Sequence, residues 1–201
     1  MFKKNNLIKL CLAVFFIQHA KAQCEENIIL EVNPLLLINQ GIGLNSEFAF
    51  IDNYSVGFNL EYFRQNPYMA NGVTANRYIY TAAPFLHYYF FTNKMFGPFI
   101  GAKINLTYSQ SSISDSDTNI QYNIFYAAPI LQAGYRFRSE SGFTLSAYIG
   151  IGYKSKKDTF DNSAFPNSKS DNLDWKLANE KLHKNVTQLQ PDYGLTLGYL
   201  F

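Results

Sequence analysis

The residues that could support catalysis are few, and they are spread along the chain. One of the three histidines, His87, alternates with Phe85 and Tyr89 in an apolar stretch. The three side chains therefore share one face of a β-strand. His87 could act as a catalytic base, but we interpret it as a structural histidine held by hydrogen bonds.

A second histidine, His183, lies in a long polar segment together with Asp174 and Ser170. These are the residue types used in nucleophilic acyl transfer. Only their occurrence in one segment connects them, and a solvated His183 is the simpler interpretation. We therefore assign no catalytic residue.

Two acidic runs, Asp115-Ser-Asp117 and the pair Asp158 and Asp161, could bind a divalent cation. Neither run has the ligand spacing of a calcium loop. The sequence also lacks a glycine-rich phosphate loop and a Cys/His metal cluster. We therefore interpret both runs as solvated loops and predict no metal and no cofactor.

The elements that must position these residues are β-strands. Residues 193–201 show the strand pattern that the rest of the chain repeats. Every second side chain is apolar or aromatic: Tyr193, Leu195, Leu197, Tyr199 and Phe201. The intervening residues are mostly small. Rings at both ends of a face, with leucines between them, favour a strand whose outer face lies in lipid.

Seven further segments alternate in the same way. The predicted strands lie near 27–38, 42–51, 54–65, 76–91, 95–109, 120–137, 142–154 and 188–201. The strand number is even, aromatic residues make up 17% of the chain, and no long apolar run follows residue 22. This pattern predicts an all-β fold, an eight-stranded antiparallel transmembrane up-and-down β-barrel.

After the first hairpin, whose connection is also short, the connections between the predicted strands alternate in length. The segments at 52–53, 92–94 and 138–141 are short, whereas 66–75, 110–119 and 155–187 are long and polar. Short turns on one side of a membrane and long loops on the other produce this alternation. Within the last loop, residues 171–182 could form an amphipathic helix, which serves either as a recognition element or as a loose cover over the barrel.

Charged residues collect on the less apolar face of the strands, which a barrel turns inward. They are Glu31, Glu47, Glu61, Arg77, Lys103 and Arg136. Because a lone charge in a narrow interior is costly, these groups should pair. We predict one hydrogen-bonded network of Glu47, Glu61, Arg77 and Lys103 in the lumen. The alternative is that some of them lie at the barrel ends in water.

Four prolines lie inside the predicted strands, where proline is unfavourable: Pro34, Pro84, Pro98 and Pro129. Proline cannot donate to the ladder, and a closed barrel has no edge strand to receive it. Either bulges accommodate these residues, or the strand limits are wrong there.

Residues 1–22 have the pattern of a secretory signal, with a charged start, a short apolar run and an Ala-Lys-Ala site. The predicted organisation is thus a signal peptide at 1–22 and a barrel domain at 23–201. Cleavage after Ala22 removes four lysines and changes the formal net charge from +2 to −2, so no nucleic-acid partner is expected. Cys24 would suggest a lipoprotein, but Lys21-Ala22-Gln23 is a poor lipobox. Cys24 also remains alone, without a disulfide partner.

Two longer motifs carry a family resemblance. They are Pro84-Phe-Leu-His-Tyr-Tyr-Phe-Phe91 followed by Phe96-Gly-Pro-Phe-Ile-Gly101, and Ala128-Pro-Ile-Leu-Gln-Ala-Gly-Tyr-Arg-Phe137 followed by Phe143–Tyr153. Together they resemble the small outer-membrane β-barrel domain family of Gram-negative bacteria. Tyr199 and Phe201 are similar to the insertion signal of such barrels. The resemblance implies an outer-membrane location and the barrel fold. The expected partners are outer-membrane lipid and, during insertion, the barrel-assembly machinery.

The expected function is that of a non-enzymatic, monomeric outer-membrane protein. Its external loops would serve structural, adhesive or ligand-binding roles, with the external ligand unknown. An eight-stranded barrel is narrow enough for side chains to fill, so no general pore is expected.

Two alternatives stay open. The first is a lipid-modifying enzyme. The deacylase type of such enzymes has a His-x-Ser motif, and this motif is absent at His87. The palmitoyl-transfer type needs His, Asp and Ser near the outer rim, which His183, Asp174 and Ser170 could supply. A soluble lipocalin-like carrier would need an apolar interior and a polar exterior.

Overall fold

A computed structural model describes most of the chain between Ile28 and Phe201. The described residues are 28–38, 40–51, 53–70, 72–90, 95–155, 174, 177 and 188–201. The predicted signal peptide, Ser170 and His183 lie outside them. Of the predicted amphipathic segment 171–182, only Asp174 and Leu177 are described, and both are helical.

The described residues form eight strands and a short helix, α1 (Pro34–Ile38). The strands are β1 (Ile28–Val32), β2 (Ile42–Ile51), β3 (Tyr54–Ala70), β4 (Val73–Tyr89), β5 (Gly97–Ser114), β6 (Asn119–Arg138), β7 (Phe143–Tyr153) and β8 (Leu189–Leu200). Each strand pairs antiparallel with the next, and β8 pairs with β1 to close the barrel. The predicted all-β, eight-stranded antiparallel barrel is confirmed. No helix of the described residues is long and apolar enough to cross a membrane.

The two faces of the barrel wall have the polarity predicted for a barrel in lipid. On β5, Ile100 and Ile104 are exposed on the outside, whereas Lys103 and Asn105 are buried inside. The same alternation of exposed apolar and buried polar side chains runs along the other strands. This is the reverse of the arrangement that a lipocalin-like carrier requires, and it suits lipid as the outer solvent.

Two rows of aromatic side chains bound the apolar belt on the outer surface. Tyr62, Tyr80 and Tyr108 occupy paired positions on three strands, with ring centroids 5.2 and 6.2 Å apart. Nearer the short turns, the rings of Tyr54 and Tyr88 lie 5.0 Å apart. Eight residues separate Tyr80 from Tyr88, which at ~3.3 Å per residue and about 40° of tilt spans roughly 20 Å. That height approaches the ~25 Å of a lipid-facing band.

The long polar loops predicted at 66–75 and 110–119 are wrong. Strand β3 continues to Ala70 and β4 begins at Val73, whereas β5 and β6 continue to a connection at 115–118. The polar residues Asn76, Gln110 and Asn123 lie on the outer face of these strands, beyond the aromatic row. Water, not lipid, would surround this part of the wall. We call residues 63–70, 72–79 and 109–124 the projection.

The strand predicted at 27–38 is also wrong in its second half, which forms α1. Asn33 caps the helix, because its Oδ1 accepts a hydrogen bond from Leu35 N at 3.0 Å. Pro34 then occupies the first helical position, where its missing N–H costs nothing. Gly43 faces inward on β2, and a Cβ there would lie 2.7 Å from Leu36 Cδ1. The helix therefore packs into the mouth of the barrel opposite the short turns.

The remaining prolines lie where a ladder is interrupted or ends. At Pro84 the β4–β5 pairing passes from Ala82 to Phe85 without a register shift. The β6–β7 pairing stops at Ile130, one residue from Pro129. Pro98 is the second residue of β5, just beyond the last β4–β5 pair. Local gaps in the ladder, not bulges, accommodate these three residues.

Candidate functional site: the barrel lumen

Arg136 lies at the centre of the lumen, near the end of the barrel that carries the short turns. Its side chain is only 1% exposed. Its Nη2 donates to Glu47 Oε2 at 2.7 Å and to Glu31 Oε2 at 3.1 Å, and its Nε donates to Ser146 Oγ at 2.7 Å. Its Nη1 also donates to the hydroxyl of Tyr89. A guanidinium presents its donors as a planar fork, so one side chain can connect several strands.

Both carboxylates of this group receive further hydrogen bonds. Glu47 accepts from Tyr89 OH at 2.8 Å and from the Ser55 hydroxyl. Glu31 accepts from Ser146 Oγ at 2.9 Å and from Asn45 Nδ2 at 2.7 Å. The desolvation cost of the buried charges is thus offset by several donors for each carboxylate. We call Glu31, Glu47, His87, Tyr89 and Arg136 the ionic cluster.

His87 lies inside the barrel, as predicted from its alternation with Phe85 and Tyr89. Its Nδ1 lies 3.1 Å from Glu47 Oε1, and its Nε2 is hydrogen-bonded to the Gln132 amide. The ring is also packed against Phe85, with centroids 4.5 Å apart. Because both ring nitrogens are engaged, the geometry supports a structural histidine and offers no nitrogen to a substrate.

An apolar layer closes the lumen below the ionic cluster. It consists of Ile29, Met95 and Leu200 together with Tyr89 and Phe99, all nearly inaccessible to solvent. Leu200 points inward on β8, alternating with the outward Tyr199. Side chains therefore fill this end of the barrel, as expected for eight strands.

A second ionic group lies farther from the short turns. Lys103 Nζ is 3.0 Å from the carboxylate of Asp192 and 5.4 Å from the centre of the Tyr148 ring. Arg77 Nε donates to Ser109 Oγ at 2.7 Å. Glu61 is partly buried and interacts electrostatically with Lys103 and Asp192.

The structure thus gives the four residues of the predicted network different partners. Glu47 belongs to the ionic cluster, Lys103 and Glu61 lie near Asp192, and Arg77 contacts Ser109. A single network of all four stays a prediction. The alternation that placed Arg136 and Glu31 on the inner face was the available signal for the ionic cluster. The same alternation along β8 places Asp192 inside, which sequence reasoning missed.

The acidic run at Asp115 is a turn. Asp115 Oδ1 accepts hydrogen bonds from the backbone N–H groups of Asp117 at 3.0 Å and Thr118 at 2.8 Å. Asp158 and Asp161 lie outside the described residues. Within the described part of the chain, no group of three or more His, Cys, Asp or Glu side chains could hold a metal.

Tyr199 and Phe201, the predicted insertion signal, lie at the β1–β8 seam. Their ring centroids are 5.1 Å apart, and Tyr199 OH donates to the backbone carbonyl of Ser141. The backbone of Phe201 exchanges two hydrogen bonds with Ile28, at 2.8 and 3.3 Å. These contacts attach this end of β8 to β1 and to the turn between β6 and β7.

The closed antiparallel wall, its apolar exterior and its ion-paired interior define a small eight-stranded barrel of the transmembrane type. The chain belongs to the family described as "Protein of unknown function (DUF3575)", whose model matches residues 7–187. No curated protein matches the sequence.

Three solved structures of similar fold have low sequence identity to the chain. The attachment invasion locus protein Ail of Yersinia pestis is 9% identical, with 87% of this chain and 94% of that chain covered and a TM-score of 0.49. The N-terminal β-barrel domain of Pseudomonas aeruginosa OprF is 14% identical, with 89% and 100% covered and a TM-score of 0.46. Neisserial surface protein A is 11% identical, with 87% and 94% covered and a TM-score of 0.44.

Proposed function

We propose that this protein is an integral, non-enzymatic and monomeric component of the bacterial outer membrane. In this proposal it presents the projection and the neighbouring connections outside the cell, for structural, adhesive or ligand-binding roles. The observation that carries the proposal is the apolar outer belt, bounded by aromatic rows and backed by a buried ionic interior. Only a lipid surround makes both faces of this wall favourable.

The orientation follows from the two ends of the barrel. Short periplasmic turns and longer external extensions are typical of outer-membrane barrels. The end with the turns at 53 and 139–142 therefore faces the periplasm, and the projection faces outward. Membrane lipid is the partner of the belt, and Tyr199 and Phe201 engage the assembly machinery during insertion. No nucleic-acid partner is proposed.

A role in general solute passage is not supported by the filled lumen. The ionic cluster and the apolar layer of Ile29, Met95 and Leu200 occupy the end near the short turns. The projection instead offers surface, because four strands extend beyond the aromatic row and carry outward polar residues such as Asn76, Gln110 and Asn123. Rigid scaffolds that hold exposed segments away from a membrane commonly carry binding functions.

Site-specific labelling of intact cells tests location and orientation together. In a Cys24→Ser background, Gln121→Cys places a thiol on the exposed outer face of the projection, and Glu140→Cys places one in an exposed short turn. A membrane-impermeant maleimide should label Gln121→Cys in intact cells and Glu140→Cys only after permeabilisation. Heat-modifiable gel migration of the same fractions reports barrel formation. Labelling in the reverse pattern, or a soluble labelled pool, would contradict the proposal.

A further inference from the structure

The outer wall of the barrel contains an apolar groove of about 750 Å³, which lies within the lipid-facing belt. Its accessible lining is almost entirely apolar, and the exposed side chains of Leu86, Leu131 and Ile151 stand along it. The volume falls within the ~300–1,000 Å³ that is common for ligand sites. The groove is therefore large enough to hold part of a long apolar molecule.

A short side chain on a middle strand forms the indentation. On β5, Ala102 pairs with Leu86 of β4 on one side and with Leu131 of β6 on the other. All three side chains face outward, so a single methyl group lies between two longer leucines. The outer surface is therefore indented along β5 at this level.

The hydrogen-bonded ladders are interrupted beside this indentation. Pro84 lies opposite Ile104 without forming a pair, and Ile104 pairs with Pro129 on its other side. Proline has no N–H to donate, so the strands are held together less closely there. Inward-facing residues of three strands also line the groove, namely Phe85, Lys103 and Ile130. The groove therefore extends into the wall between the strands.

The groove runs along the half of the belt that is nearer the projection. Pro84 lies midway between the aromatic residues Tyr80 and Tyr88, four residues from each. Toward the projection, the lining extends to Tyr153 and Leu189, the last residue of β7 and the first of β8. The exposed ring of Tyr153 suits a membrane–water interface. The groove thus reaches from the middle of the belt to its outer margin.

We infer that this groove binds one acyl chain of an outer-leaflet lipid, with the head group beside Tyr153 and the chain end beside Leu86. The belt contacts lipid over its whole surface, so an acyl chain is the molecule that the surroundings supply. A chain on a smooth wall is touched from one side, whereas a chain in the groove is also touched by Leu86 and Leu131. Since lipid tails and leucine are equally apolar, the preference for the groove comes from these additional dispersion contacts. The inference rests on the location and orientation proposed above.

Crystals grown from a lipid bilayer phase that contains a brominated phospholipid locate the chain directly. Bromine at the chain end should give an anomalous peak beside Leu86 and Ala102. Bromine close to the ester group should give its peak beside Tyr153 instead. Peaks spread around the belt with none in the groove, or peaks in the reverse order, overturn the inference.

Matched variants test whether the groove itself holds the lipid. Ala102→Phe places a ring in the groove, whereas Ala133→Phe makes the same change at an exposed belt alanine outside it, between Ile100 and Ile149. Native mass spectrometry of the detergent-purified barrel counts the lipid that each variant retains. Ala102→Phe should lower the fraction with one bound lipid about five-fold, because several dispersion contacts are lost, and Ala133→Phe should leave it unchanged. Equal retention in both variants, or a second barrel bound in place of lipid, overturns the inference.

Heat-modifiable migration of the outer-membrane fraction separates failure of the site from failure of the proposed function. A folded barrel in that fraction whose groove holds no lipid contradicts the site alone. A barrel found outside that fraction contradicts the proposed function as well. If Ala102→Phe does not fold, the bromine positions in the parent barrel decide the matter.

Discussion

Arg136 Nη2 and Glu47 Oε2 lie 2.7 Å apart inside the barrel, although β6 and β2 are not neighbours in the sheet. The contact joins opposite parts of the wall across the interior, while Glu31 on β1 and Tyr89 on β4 bind the same guanidinium. The barrel cross-section at this level is therefore held by side chains as well as by strand pairing.

Arg136→Ala should strongly destabilise the barrel. The substitution leaves Glu31 and Glu47 buried without their cation, at a cost on the order of 3–5 kcal/mol. Urea unfolding of the refolded protein in detergent, followed by heat-modifiable migration, measures the loss. Arg64→Ala is the control, because this partly exposed arginine on the outer face should contribute only about 0–1 kcal/mol.

If Arg136→Ala does not fold, the combined variant Arg136→Met, Glu31→Gln and Glu47→Gln keeps the prediction testable. Removing the charges together should recover much of the stability, since no buried ion is left unpaired. An Arg136→Ala protein as stable as the parent would contradict the described role of the ionic cluster.

Leu131→Arg should destabilise insertion far more than Asn123→Arg, although both residues face outward on β6. Leu131 is 69% exposed and lies midway between the outward Phe125 and Phe137. An arginine at the midplane of the lipid band costs ~2–4 kcal/mol, and one beyond the interface about 0–1 kcal/mol. Unfolding in liposomes measures both. Equal costs would mean that the belt has been misplaced.

His87→Leu should lower stability without changing membrane lipids. Glu47 loses one hydrogen-bond partner and the Gln132 amide loses another, which together cost about 1–3 kcal/mol. Urea unfolding gives the stability, and mass spectrometry of outer-membrane lipids gives the chemical profile. A changed lipid profile at unchanged stability would favour the enzyme alternative instead.

Phe201→Ala should reduce assembly in cells several-fold while leaving refolding in detergent nearly unchanged. The two backbone hydrogen bonds to Ile28 do not need the ring, whereas the proposed insertion signal does. Tyr193→Ala removes an exposed outward ring from the same strand and serves as the control. A similar loss of assembly in both variants would indicate a general effect of aromatic area.

The alternation of residue types predicted the strands and their two faces, but not the length of the strands. Lys103 and Ile104 fall on opposite faces because side chains in a strand must alternate, whatever solvent surrounds them. Beyond the aromatic row the outer solvent is water, so Asn76 and Gln110 are polar on a continuing strand. A sequence with polar residues on that face resembles a loop, and the strands were therefore predicted too short.

The start of α1 and the contact between Arg136 and Glu47 could be predicted from the sequence to different extents. Asn33 followed by Pro34 is a recognisable helix start, but the apolar residues after it were interpreted as a strand. The contact between Arg136 and Glu47 depends on the stagger of non-adjacent strands and on side-chain reach. The local sequence pattern contains neither the stagger nor the reach. It therefore predicted which residues face inward, but not which of them form an ion pair.

Hydrogen bonds between β1 and β8 have a consequence for the order of folding. Seven ladders join strands that follow one another along the chain, so each closes a shorter loop than the β1–β8 ladder does. The ladder that pairs Ile29 with Leu200 joins distant segments and bears the greatest loop-closure entropy. Until it forms, the sheet keeps two open edges, so we expect closure of the ring to be the last and slowest step of folding.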